Sequence, residues 1–80
     1  MKLLIFVTED SVADSTVDVL VEQGFRVTRL ASTGGFLRKG NTTLLVGVEN
    51  EKISQAVELV RSTAKGALAI TLDLERYERM

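Results

Sequence analysis

The residues that could do chemistry in this chain are concentrated in one stretch, Ala31-Ser32-Thr33-Gly34-Gly35-Phe36-Leu37-Arg38-Lys39-Gly40-Asn41-Thr42-Thr43. Glycines let backbone N–H groups approach a ligand without obstruction from a Cβ. Hydroxyls and the Asn41 amide add donors and acceptors. Arg38 and Lys39 attract anions, and Phe36 offers a flat apolar face. The mixture suits a ligand that carries phosphate and a planar ring. The alternative is a long β-hairpin loop whose glycines supply positive φ and nothing more. Composition taken alone favours that alternative, because no phosphate-loop fingerprint is present. Catalysis has little to work with. The chain contains no His and no Cys, which removes the commonest acid–base group and the commonest metal ligands. Asp10, Asp14 and Asp18 share a helical face at i, i+4 and i+8, the spacing of a solvated face more often than of a catalytic pair. The expectation from these residues is a protein that is not an enzyme, with no catalytic residues, no metal and no cofactor.

The elements that would position the loop can be read from periodicity. Lys2 to Thr8 is apolar on both faces and reads as a central strand. Ser11-Val12-Ala13-Asp14 resembles a capping-box start. Ala13, Val17, Leu20 and Val21 then share one helical face, and Gly24 sits where a helix-ending glycine belongs. Phe25 to Ala31 alternates, with Phe25, Val27 and Arg29 on one side and Arg26, Thr28 and Leu30 on the other. Thr42 to Val48 is a second alternating strand, with Leu44, Val46 and Val48 on one face. Asn50 is a candidate N-cap. Ile53, Ala56, Val57, Val60 and Ala64 form the stripe of a second helix that Gly66 closes, and Ala67 to Leu74 is a fourth strand. The order is βαββαβ, that of an α+β ferredoxin-like sandwich. Two helices cover one face of four strands. Leu4, Phe6, Leu45 and Ala67 or Ala69 are the candidates for the uncovered face, which usually finds a partner subunit.

Length fits a single domain spanning residues 1–80, small enough to be marginal unless stapled or oligomeric. No disulfide is possible, and a cytoplasmic protein is the natural reading. No apolar run is long enough to span a bilayer. The apolar start, Met1 to Val7, runs directly into Thr8-Glu9-Asp10 with no small-residue cleavage site, so it reads as a buried strand and not a leader. Ten basic against 11 acidic residues leave no electrostatic footprint for a nucleic-acid polymer.

The pattern Phe25-Arg26-x-Thr28-x-Leu30-Ala31-x-Thr33-Gly34-Gly35-Phe36-Leu37-Arg38-x-Gly40-Asn41-Thr42-Thr43 resembles the signature of the PII-like cyclic-di-AMP receptors. Met1-Lys2-Leu3 and Val46-Gly47-Val48 fit as well; Gly66-Ala67 and the strand after it match more weakly. The resemblance implies a ferredoxin-like subunit in a homotrimer that binds cyclic di-AMP, or another adenine nucleotide, between neighbouring subunits and signals to a downstream protein through mobile loops. Carried over by motif, Arg26 and Thr28 face the ligand from the second strand. Gly35, Phe36 and Leu37 supply loop backbone and apolar contact. Asn41 hydrogen-bonds an adenine edge or stabilises the loop, and Gly47 permits close approach. Each has a plainer alternative: Arg26 as a solvated edge charge, Phe36 as a trimer-core residue, Asn41 as a turn residue.

The chain also departs from the family pattern. Family members carry a long signalling loop before the last strand, whereas Arg61-Ser62-Thr63-Ala64-Lys65-Gly66 passes almost straight into it. Ile70 stands where an aromatic able to stack on adenine is expected, and Arg79 where the tail tends to carry an uncharged amide. These departures frame an alternative function: a structural or protein-interaction module that keeps the trimer and has lost the ligand.

Overall fold

Three β-forming runs and the edge they support make the sheet. The computed structural model describes residues 1–31 and 40–75. β1 (Lys2–Glu9) leads directly into α1 (Asp10–Glu22); β2 (Val27–Ala31) and β3 (Asn41–Val48) follow; a 3-10 turn (Asn50–Lys52) opens α2 (Ile53–Thr63), and β4 (Leu68–Asp73) closes the order. The strands lie in the order β2-β3-β1-β4, every neighbouring pair antiparallel. This is the βαββαβ ferredoxin-like arrangement of a PII-like fold.

Alternation decides which residues the helices cover. Leu4 and Phe6 of β1 and Leu44, Val46 and Val48 of β3 form the sheet's contribution to the core, and Leu20, Ala56, Val60 and Ala64 come down on them from the helices. Full burial of a side chain such as Phe6 is worth about 1.5–3 kcal/mol. The opposite face carries Leu3, Ile5 and Val7, with Leu45 beside them and Leu68, Ile70 and Leu72 across the β1–β4 ladder. Leu4, Phe6 and Ala69 therefore lie on the helix side, not on the uncovered side where the sequence had them as candidates. Leu45 alone of that set faces outward, and Ala67 packs against the core. The physical reason is that β1 is apolar on both faces, so its alternation carries no parity.

Helix starts also differ from their sequence signals. α1 begins at Asp10 with Glu9 at its N-cap and no side-chain capping bond. Asp14, the far end of the expected capping box, instead pairs with Arg29 of β2. Asn50 lies inside the 3-10 turn, whose N-cap is Glu49. On α1, Val21 is 55% exposed and the buried position goes to Thr16. That hydroxyl is satisfied in place: it donates to the Val12 carbonyl at 2.8 Å and lies 3.2 Å from the Thr63 hydroxyl of α2.

Candidate functional site

The α1–β2 junction aims the first group of candidate residues. Gly24 has φ +89°. Its N–H donates to the Val21 carbonyl, and the Phe25 N–H donates to the Leu20 carbonyl, each at 3.0 Å. Those two bonds form a Schellman motif. Its customary apolar contact is present, because Phe25 packs against the core cluster that holds Leu20. With Phe25 turned inward, the next residue must face the other way. Arg26 is exposed, and Thr28 sits opposite Leu45 on the uncovered face. Gly47 lies two residues further along β3, on the same face.

Arg26, Thr28 and Gly47 thus line one cleft of about 500 Å³, together with Phe25 and the apolar walls Met1, Leu3, Leu45 and Leu74. The Leu74 N–H donates to the Met1 carbonyl at 3.1 Å and holds the far wall. A Cβ placed on Gly47 would meet nothing within 4 Å among the described residues. Among the described residues, no carboxylate pairs with Arg26; the ion pairs are Lys2–Asp73, Arg29–Asp14 and Arg61–Glu58. A guanidinium and a hydroxyl beside an apolar floor can hold a phosphate and a flat ring together.

Asn41 is elsewhere. It opens β3 opposite Glu9 and lines a second cleft of about 370 Å³ with Thr8, Glu9, Val12, Lys65 and Gly66. Six steps along the strand separate it from Gly47, roughly 20 Å at the rise of a β-strand. The structure therefore brings together Arg26, Thr28 and Gly47 and leaves Asn41 apart. Gly35, Phe36 and Leu37 lie outside the described residues, as does Arg79. Ile70 is 40% exposed on the uncovered face of β4. The connection from α2 to β4 is short, Thr63 to Leu68, as its sequence indicates.

Sequence reasoning missed Met1, Leu3 and Leu74 as cleft walls. The signal that unites them is the strand register, which a single sequence does not print. Among the described residues no group of three or more His, Cys, Asp or Glu could hold a metal ion, and no helix is long and apolar enough to cross a membrane.

Two comparisons with known proteins bear on this geometry. Residues 1–75 match the family model described as cyclic-di-AMP receptor. The chain is also similar to a functionally unknown protein from Pediococcus pentosaceus ATCC 25745 known from a crystal structure. The identity is 29% and the TM-score 0.85, over 99% of this chain and 96% of that one.

Proposed function

The chain belongs to the cyclic-di-AMP receptor family, and on that premise we propose that it is a PII-like signalling protein of the cytoplasm, a homotrimer that binds cyclic di-AMP between its subunits. A receptor family is one of binding proteins, and the role is binding, not catalysis. One observation carries the ligand reading: Arg26, Thr28 and Gly47 converge on a single cleft of the uncovered sheet face. In this reading Arg26 and Thr28 contact phosphate, and Gly47 lets the ligand lie against the strand. Gly35 offers loop backbone donors, Phe36 and Leu37 line a base, and Asn41 bonds an adenine edge.

Asn41 and Gly47 stand at opposite ends of β3, so one base cannot touch both. A site that uses both is completed by a neighbour: the Arg26 cleft of one subunit and the Asn41 end of the next. This arrangement makes a sharp test. Arg26→Ala and Asn41→Ala chains are unfolded together, refolded as mixed trimers and titrated with cyclic di-AMP by calorimetry. In a composite site, random mixing restores about one interface in four, since heterologous contacts pair unlike patches. Recovery of no binding by the mixture, when wild type binds, would reject the composite site. Silence of the wild type itself toward cyclic di-AMP, ATP, ADP and other dinucleotides would reject the nucleotide reading.

The second reading, an assembly module without ligand, is favoured by the short Thr63–Leu68 connection and by the absence of an aromatic at Ile70. Base–aromatic stacking contributes about 1–3 kcal/mol per base. The same calorimetry separates the two readings.

A further inference from the structure

We infer that Asp10 is a positioning residue for ligand binding, which clamps the chain on both sides of Asn41 and so fixes where the Asn41 amide can reach. The inference rests on the reading above that Asn41 contacts the nucleotide.

Asp10 opens α1 and Asn41 opens β3. The Asp10 backbone N–H donates to the Gly40 carbonyl at 2.8 Å. The Thr42 hydroxyl donates to the Asp10 carboxylate at 2.5 Å. One residue thus holds Gly40 through its main chain and Thr42 through its side chain, and Asn41 lies between the two tethers. The N–H is one of the four that a helix start leaves without an intrahelical acceptor, so its use here breaks no helix bond. The hydroxyl–carboxylate bond is charge-assisted, roughly twice as strong as a neutral one, and Thr42 is buried.

Among the described residues, the ladder partner of Asn41 is Glu9 of β1, at the last step of that ladder. Asp10, the residue after Glu9, adds the two tethers on either side of Asn41. Asn41, half-buried, then lines the smaller cleft beside Glu9 and Lys65.

The test has a ligand-free arm and a ligand arm. Backbone order parameters of the ligand-free protein are measured for wild type, Asp10→Ala, Thr42→Val and Asp10→Asn. Asp10→Ala and Thr42→Val are expected to drop residues 40–42 out of the rigid range near ~0.85, with Leu44 and Val46 unchanged. Asp10→Asn keeps an acceptor for Thr42 and is expected to stay close to wild type. Titration with cyclic di-AMP is expected to show Asp10→Ala and Thr42→Val binding about three- to tenfold more weakly. In an Asn41→Ala background, the added Asp10→Ala should cost nothing more. Order parameters that do not move overturn the clamp whatever the titration shows. A full further loss in the Asn41→Ala background overturns Asn41 as the group positioned. If the order parameters fall in a protein blind to cyclic di-AMP, the nucleotide reading fails while the clamp stands.

Discussion

Gly47, a proposed ligand residue, shows how little of such a residue's purpose need be visible inside its own chain. It sits within β3 with an ordinary φ and open space where a side chain would project. Glycine inside a strand costs roughly 0.5–1 kcal/mol relative to alanine, and no contact among the described residues requires that cost. Glycine at such a place suits the close approach of a ligand or of another backbone, the role proposed for Gly47. Gly47→Ala should therefore raise the stability of the chain by up to about 1 kcal/mol in urea unfolding while weakening cyclic-di-AMP binding. Opposite signs for the two measurements separate a ligand role from a folding role; unchanged binding would remove Gly47 from the site. Arg26, exposed and facing the same cleft, should behave differently. Arg26→Ala leaves stability within about 0.5 kcal/mol and costs about 1.5–3 kcal/mol of binding if the guanidinium makes a charged hydrogen bond. Calorimetry at fixed salt reads that loss.

At the scale of elements, the α1–β2 junction sets the site's aim, and Gly24 governs the junction. A Cβ on Gly24 also meets nothing within 4 Å, yet its φ is +89°. Space is equal at Gly24 and Gly47, so conformation decides the sign. Gly24→Ala should destabilise by about 1–2 kcal/mol through the left-handed backbone alone, and urea unfolding checks it. An effect near zero would mean that the turn relaxes and that Arg26 is not fixed by it. Such features differ in how legible they are. Gly24, the α2 stripe and the alternation of β2 and β3 could be read because apolar residues there contrast with polar ones at a clear period. The face shared by Arg26 and Thr28 follows from the same alternation. The parity of β1 could not be read, since Leu3, Ile5 and Val7 are as apolar as Leu4 and Phe6. Helix starts failed for another reason: Asp10 and Asp14 are claimed by Thr42 and Arg29 from distant strands, and tertiary bonds override a local capping pattern. Gly47 joins Arg26 only through register, which is likewise a tertiary fact.

For the whole molecule, β4 is the strand that most needs a neighbour. All six of its residues are exposed, because α1 lies over β1, β2 and β3 and α2 over β1 and α1. Leu68, Ile70 and Leu72 are 56%, 40% and 47% exposed on the uncovered face, continuous with Leu3, Ile5 and Val7 through the β1–β4 ladder. A patch of this kind marks an interaction surface, and an apolar edge strand left open invites aggregation. A closed assembly of like subunits buries both at once. Light scattering should therefore report three times the 8.8 kDa chain mass at micromolar concentration. Ile70→Glu, which places an unpaired carboxylate in that surface, should shift the mass toward one chain, since an uncompensated charge in an interface costs several kcal/mol. The core of Leu4, Phe6, Leu20, Leu44 and Val46 lies on the other side of the sheet, so the separated chain should retain its far-ultraviolet dichroism. Because the proposed site draws Arg26 and Asn41 from different subunits, the same variant should lose cyclic-di-AMP binding along with its trimer. Binding that persists in a monomer would mean that one chain holds the whole site, and a wild type that runs as a monomer would end the trimer itself.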